Sequence, residues 1–404
     1  MSIGITATVL CPRPPWPMTY GSAKRTYRLL EAMELAGVRP HLISQEGSEE
    51  TVRAITGRGW GFDVAREEVP SLAARTRQHL VRRPSPYVAD VARLLRERRE
   101  PGLAFVQVEH AMSSYYADAH PSCPTVLSTH NVDSTMLATI ARDARTGTAR
   151  WAQAWNRSLA MRVTERRAAR RADVVVCVSD DDAATFERLG ASVLLIPNGV
   201  DEELFAIGPA PATGSVLFFG RLDYGPNDHG LRRFLAEIWP RVAAQRPEAR
   251  LRVVGAGLGA EAARAVAAAP RAEALGLVPD IVVELEGAAV VVVPVWQGGG
   301  TRLKVLEALG AARPVVGTTL GVSGIGVRDG VHVLVASATE DFAAATVRLL
   351  AEPGAARELG ASGRELVGRF RWGAITAPAT ELYARLADAS ATRAGRVGSA
   401  GWSL

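Results

Sequence analysis

From Ala288 to Gly310 the chain reads Ala288-Ala-Val-Val-Val-Val293-Pro294-Val-Trp-Gln-Gly298-Gly-Gly-Thr301-Arg-Leu-Lys304-Val-Leu-Glu307-Ala-Leu-Gly310. The apolar block Ala288 to Val293 is short and rich in β-branched residues, the pattern of a strand buried on both faces. Gly298, Gly299 and Gly300 follow as a turn. Thr301 then stands at the N-cap of a helix that carries Leu303, Leu306 and Leu309 toward a core. A strand, a glycine turn and a helix N-terminus make an anion site, because free backbone N–H groups point outward and the helix dipole favours negative charge. Arg302 and Lys304 sit in the first turn, where the dipole disfavours cations, a placement that makes sense beside a phosphate. Glu307, one turn on, suits neutral hydroxyls such as those of a ribose.

The basic residues point the same way. Of 47, only Lys24 and Lys304 are lysines and the other 45 are arginines. Both lysines lie beside glycine turns, Lys24 in Tyr20-Gly-Ser-Ala-Lys-Arg25. A compact ammonium enters a crowded phosphate site that a planar guanidinium does not. At 404 residues the chain is too long for one ordinary core and predicts two domains. With 48% apolar and 22% charged residues it has the composition of a soluble globular protein. The net charge is only +5 despite a pI of 9.4, and the arginines are scattered among acids. That argues against a nucleic-acid surface and leaves room for a peripheral contact with anionic lipid. Cys11, Cys123 and Cys177 are odd in number and set in apolar context, as buried thiols of a reducing cytoplasm are. No apolar run approaches a membrane span, and no signal peptide is evident, so a cytoplasmic location is expected.

In chain order, Ile3–Leu10 predicts a strand, followed by the stiff loop Cys11-Pro-Arg-Pro-Pro-Trp-Pro17. Gly21-Ser22 opens a helix, and Val38–Ser44 is a second strand. Gly21, Ser22 and Lys24 then lie at the carboxyl edge of a parallel sheet, where such folds bind ligands. The Arg-rich segments Ala73–Arg83 and Val88–Arg99 predict helices. Strands at Leu103–Val108 and Pro124–Ser128 lead to Glu109-His110 and to Thr129-His130-Asn131, which supply polar groups to the same edge, His130 the foremost acid–base candidate. A helix over Gly147–Arg171 carries Trp151, Trp155, Leu159 and Val163 at helical spacing, read as packing. After a strand at Val193–Ile196, Phe205–Gly214 is the best linker. The alternation then restarts with Val216–Phe219, Gly220-Arg221 and Arg250–Val254. Gly255-Ala-Gly-Leu-Gly-Ala260 fits a dinucleotide fingerprint. Asp180-Asp-Asp182 reads as a helix cap, with Asp180 at the N-cap, and a dipole partner rather than a metal site. The architecture predicted is α/β, with two Rossmann-like, doubly wound domains facing across a cleft. The boundaries are residues 1–204, a linker at 205–214, a second domain at 215–375, a helix at 376–388 crossing back to the first domain, and a flexible tail at 389–404.

Taken together, Gly21-Ser22, Ser128-Thr-His-Asn131, Arg171–Ser179, Ile196-Pro-Asn-Gly-Val-Asp201, Phe219-Gly-Arg-Leu222 and Gly299–Ala308 resemble the group 1 glycosyltransferases of family 4, and the branch that carries the last of these motifs. The resemblance spans nearly the whole chain. It implies the GT-B fold and a retaining, metal-independent, cofactor-free transfer of a sugar from a nucleoside diphosphate sugar to an acceptor hydroxyl. A natural-product or cell-envelope glycoside, small molecule or glycan, is the acceptor expected. Arg221 would neutralise the diphosphate, Glu307 would hold the ribose, His130 would lie beside the transferred sugar, and the Gly21-Ser22 amides would face the diphosphate. Gly299, Gly300, Thr301 and Arg302 complete the donor side; Lys24, Glu109, His110 and Asn131 are sugar or acceptor contacts. Two positions depart from the family pattern. Gly299 stands where the first glutamate of a pair is expected, and Leu222–His229 lacks the usual lysine, a charge that Arg302 and Lys304 would replace. Two rival readings remain: an NAD-linked oxidoreductase using Gly255–Ala260, and a nucleotide-sugar-binding protein without turnover.

Overall fold

The computed structural model describes residues 4–18, 20–65, 89–98, 102–119, 123–143, 148–298 and 303–399. The segment Ala73–Arg83 lies outside them. The chain divides into two units, Met1–Pro197 with Thr376–Leu404, and Asn198–Ile375.

Among its described residues unit 1 holds seven strands: β1 (Thr6–Leu10), β2 (Arg39–Ser44), β3 (Gly61–Val64), β4 (Leu103–Glu109), β5 (Thr125–Ser128), β6 (Val174–Cys177) and β7 (Val193–Leu195). They lie parallel in the order β3-β2-β1-β4-β5-β6-β7. β1 is buried at every position because helices cover both faces. The helices that matter for the site are α1 (Gly21–Leu35), α2 (Asp133–Asp143), α3 (Ala149–Arg171) and α4 (Asp180–Arg188).

Unit 2 repeats the plan. Its strands are β8 (Ser215–Phe219), β9 (Arg250–Val254), β10 (Ala272–Gly276), β11 (Ala288–Val293), β12 (Val315–Gly317) and β13 (Leu334–Val335), parallel in the order β10-β9-β8-β11-β12-β13. β11, the Ala-Val run, is fully buried at the centre of the sheet. Here α5 (Gly225–Arg233) follows β8 and α6 (Leu303–Gly310) follows β11. The last helix, α7 (Ala377–Ser399), packs on α1 and β4 of unit 1. Among the described residues no helix is long and apolar enough to cross a membrane.

The structure differs from the sequence reading in four respects. β3 and β10 were not foreseen; each is an edge strand with glycine or alanine where β-branched residues would mark a strand. Residues 198–214 belong to unit 2 rather than to the end of the first domain and a free linker. Val200 exchanges backbone bonds with Phe370 and Trp372 at 2.7 and 3.3 Å, Arg364 donates to the Ile207 carbonyl, and buried Arg313 donates to the carbonyls of Gly208, Glu286 and Ala288. The final helix runs past 388 to Ser399, so 389–399 is helical rather than a tail. On α3 the packing face is Ala154, Ser158, Met161, Glu165 and Ala168, while Trp155, Leu159 and Val163 are exposed at 38–40%. Alanine and serine let α3 sit close to α2, and the larger side chains fall on the outer face.

Gly230, within α5, shows how tightly helix and strand exit meet: a Cβ there would lie 2.0 Å from the Pro294 carbonyl oxygen, just beyond β11. Gly230→Ala should destabilise the protein by about 1–3 kcal/mol, although alanine favours a helix by roughly 1 kcal/mol over glycine. Gly225→Ala, where nothing lies within 4 Å, is the control and should be neutral or mildly stabilising. Urea denaturation midpoints decide; equal midpoints for Gly230→Ala and wild type would refute the close contact.

Candidate functional site

In a doubly wound sheet the two strands on either side of the order reversal send their following loops in opposite directions, opening a crevice at their carboxyl ends. In unit 2 that place is between β8 and β11. β8 ends at Phe219 and passes into Gly220-Arg221, and β11 passes into the Pro294–Gly298 loop and α6. Gly220 adopts φ 135° and donates to the Val254 carbonyl at 3.0 Å, and the Leu222 amide donates to Ala256 at 2.8 Å. Lys304 reaches from α6 to this strand exit. Its Nζ donates to Asn227 Oδ1 at 2.8 Å and lies 5.1 Å from the centre of the Phe218 ring. Asn227, in the first turn of α5, uses Nδ2 to hold the Arg221 carbonyl at 2.7 Å. Arg221 Nε in turn donates to Asp223 Oδ1 at 2.6 Å. Glu307, buried on α6 within one turn of Lys304, completes the described part of the cluster. Gly299, Gly300, Thr301 and Arg302 lie outside the described residues. Asn227 was missed by sequence reasoning; its only signal is a polar residue in the first turn of a helix at the switch point.

The dinucleotide fingerprint has another explanation. A Cβ on Gly255 would lie 1.9 Å from the Gly220 carbonyl oxygen, and one on Gly257 would lie 2.8 Å from Asp223 Cβ. These glycines let the loop after β9 pack against the Arg221 loop. β9 also stands one strand away from the reversal.

In unit 1 the reversal lies between β1 and β4. α1 starts at Gly21 with no side-chain cap from Tyr20 and no acid in its own first turn to offset the positive potential of the amide end at Gly21-Ser22. Lys24 is half-buried on α1, whereas Arg25 is fully buried. Arg25 Nη1 donates to the carbonyls of Ile196 and Pro197 at 2.6 and 3.2 Å, while its Nε and Nη2 make no hydrogen bond. Burial lowers its pKa to about 10, with the Glu109 charge opposing, so it stays cationic at neutral pH.

β4 places Phe105, Gln107 and Glu109 on one face, beneath α7. Glu109 is fully buried. Its Oε2 meets His130 Nε2 at 3.0 Å and its Oε1 accepts from Gln107 Nε2 at 2.7 Å. Tyr383 of α7 donates its hydroxyl to Gln107 Oε1 at 2.7 Å and stacks on Phe105 at 5.2 Å between ring centres. Burial opposes the Glu109 charge, but the bonds from His130 and Gln107 prevail and hold its pKa below the usual carboxylate value. Glu109, read from sequence as a sugar or acceptor contact, stands behind His130, bonded to it and to Gln107. His110, half-buried with φ 71°, places its ring 4.4 Å from that of His130. Burial, with His130 beside it, pushes the His110 pKa down to about 3, so its ring is neutral at working pH. Gln107 and Tyr383 were also missed, although a glutamine in a strand buried on both faces is itself a signal.

The loop carrying His130 and Asn131 is clamped from below. Ser134 N donates to Glu165 Oε1 at 2.9 Å and Val132 N to Asp182 Oδ1 at 3.2 Å. Ser179, rather than Asp180, caps α4 by accepting from Asp182 N, and Asp180, Asp181 and Asp182 lie in its first turn. Asn131 Nδ2 lies 3.7 Å from Met136 Sδ. Among the described residues no group of three or more His, Cys, Asp or Glu is placed to hold a metal ion.

Two family models match the chain. One described as Glycosyltransferase Family 4 covers residues 19–204, and one described as Glycosyl transferases group 1 covers residues 213–352. The chain belongs to the family 4, group 1 glycosyltransferases. Comparison with curated proteins finds no match. Among solved structures, sucrose-phosphate synthase from Thermosynechococcus elongatus superimposes with a TM-score of 0.71 at 19% identity, over 95% of this chain and 100% of that one. HepE from Anabaena, solved with UDP and glucose, gives 0.68 at 14% identity over 94% of this chain and 100% of that one. TarM from S. aureus, in a complex with UDP, gives 0.67 at 11% identity over 94% of this chain and 99% of that one. At these identities the likeness is one of fold, the GT-B fold, and the transferase shares it along nearly its whole length.

The clamp beneath His130 has a pH signature. Burial, then the nearby Glu165 and Asp182 charges, raise the Asp133 pKa to about 7. The folded chain thus binds this proton more tightly than the unfolded chain does. Its stabilising effect is complete below the unfolded value near 4 and fades as pH rises through 7. Asp133→Asn should therefore raise stability at pH 8 by on the order of 2 kcal/mol and change it little at pH 4. Melting curves at the two pH values test this; a loss of stability at pH 8 would contradict it.

Proposed function

We propose that the enzyme transfers a sugar from a nucleoside diphosphate sugar to an acceptor hydroxyl, with retention at the anomeric carbon and without a metal ion, in the cytoplasm. The observation that carries this reading is the Lys304 ammonium beside Gly220-Arg221. Leu222–His229 offers no lysine, and Lys304 comes to the same strand exit from α6. Two fixed cations there suit a diphosphate, and Glu307 within one helical turn suits the ribose hydroxyls. Breaking the bond from sugar to diphosphate builds negative charge on the leaving phosphate. Arg221 and Lys304, already oriented by Asp223 and Asn227, stabilise that charge with little reorganisation, an effect typically worth several kcal/mol.

In unit 1 the Gly21-Ser22 amides present positive potential of their own, and His130 is read as the residue that meets a sugar. The acceptor hydroxyl attacks from the face the diphosphate leaves, and the departing phosphate oxygen assists its deprotonation. The acceptor belongs to the natural-product or cell-envelope glycosides. Anomeric analysis of the product by NMR tests retention, and turnover after treatment with a chelator tests independence from metal.

The decisive experiment is thermal stabilisation by UDP, GDP, ADP, TDP, CDP and NAD, followed by a donor screen on the nucleotide that binds. Ligand at about 100 times its dissociation constant should add nearly 3 kcal/mol and shift the melt by several degrees. One nucleoside diphosphate should do so, and Glu307→Ala should abolish the shift. Lys304→Ala should lower kcat by about 100-fold or more with a folded protein. A shift with NAD alone, or normal turnover in Lys304→Ala, would overturn the proposal.

A further inference from the structure

We infer that Glu109 is a positioning residue that fixes His130 as the Nε2–H tautomer, oriented in turn by Gln107 and by Tyr383 of the C-terminal helix. This rests on the reading of His130 as the residue that meets the transferred sugar.

The direction of each hydrogen bond follows from chemistry. An ionised carboxylate only accepts, so both groups bonded to Glu109 must donate. Gln107 therefore turns its Nε2 to Glu109, at 2.7 Å, and its Oε1 to Tyr383. The Tyr383 hydroxyl, 2.7 Å away, donates to that oxygen. His130 turns Nε2–H to the other carboxylate oxygen at 3.0 Å. That tautomer leaves Nδ1 as an acceptor, the polarity needed to take a hydrogen bond from a hydroxyl of the bound sugar.

The surroundings keep Glu109 in the form this requires. The carboxylate is wholly removed from water, and its bonds from His130 and Gln107 hold it ionised. The Arg25 guanidinium lies close enough for the two charges to feel each other. Tyr383 is fully buried and stacked on Phe105 with the rings 6° apart, so its hydroxyl has no freedom to leave Gln107. The relay thus links residue 383 to residue 130 through two side chains of one strand, all within unit 1.

Replacing the carboxylate by an amide of the same shape should invert the relay. In Glu109→Gln, with Gln107 Oε1 still held by the Tyr383 hydroxyl, the new side chain accepts from Gln107 and turns its NH₂ toward His130. His130 Nε2 then becomes the acceptor and the proton moves to Nδ1. Nitrogen NMR of the imidazole, assigned by the resonances lost in His130→Ala, should show Nε2–H in the wild type and Nδ1–H in Glu109→Gln. Donor kcat/KM should fall about a hundredfold in Glu109→Gln, as expected when the group that orients a histidine is lost. It should fall about fivefold in Tyr383→Phe, which keeps the ring stack and loses one hydrogen bond.

In both variants the affinity for the nucleoside diphosphate without its sugar should match wild type, which separates loss of the relay from loss of the fold. Retention of the Nε2–H tautomer in Glu109→Gln, or wild-type kcat/KM in both variants while His130→Ala is inactive, would overturn the relay alone. Wild-type turnover in His130→Ala would overturn the role of His130 in transfer, and the relay with it.

Discussion

Each sheet reverses its strand order once, between β1 and β4 and again between β8 and β11, and nearly every residue with a chemical role leaves the structure at one of those two places. The constraint is topological. A parallel strand needs a crossover helix to reach its neighbour, and only at the reversal do adjacent strands send those helices to opposite faces. There the backbone after each strand is left uncovered, with amides, short polar side chains and helix N-termini converging. Gly21-Ser22, Glu109-His110, Gly220-Arg221 and Gly298 onward are the four exits so produced. Chemistry at such a site depends on side chains that are held before a ligand arrives, and each unit achieves this in its own way.

In unit 2 the holding is by contact. Asn227 connects the Arg221 backbone to the Lys304 ammonium with one side chain, donating to the first and accepting from the second. In unit 1 the holding is by buried charge. Isolated ions under a helix are costly, and breaking a buried pair costs more than the pair itself contributes. Glu109, His130 and Gln107 form a set in which the carboxylate has donors on both oxygens. Arg25 compensates the charge from α1 while its Nη1 ties the Ile196-Pro197 carbonyls, so one cation serves both the site and the end of unit 1. Its two unbonded N–H groups show that satisfying the charge took precedence over satisfying every donor.

The central strands were legible because burial on both faces leaves a continuous β-branched run, as in Ala288–Val293. The site residues that follow them were legible because the chain announces those exits with glycine, arginine and histidine. Edge strands β3 and β10 were not, since one open side relaxes the demand for valine and isoleucine. The apolar stripe of α3 misled because a period near 3.6 says which residues share a face and not which face is covered. Asn227, Gln107 and Tyr383 carry no motif at all. Asn227 and Tyr383 take their roles from pairs 77 and 276 residues apart, a relation that only the fold brings into being, while Gln107 meets Glu109 along its own strand.

The same geometry accounts for a lysine at position 304 in a chain that otherwise writes its positive charge as arginine. The ammonium sits within 3.1 Å of where a Cβ on Gly220 would be, with the Asn227 amide on one side and the Phe218 ring on another. A guanidinium is planar and needs its five donors met around its rim, whereas an ammonium presents three rotatable donors from a single atom. In so narrow a position the ammonium reaches Asn227 from a single atom, where a planar fork would have no room to turn. Gly220 and Lys304 are thus two halves of one adaptation: the glycine removes the side chain that would fill the space, and the lysine is the cation small enough to use it.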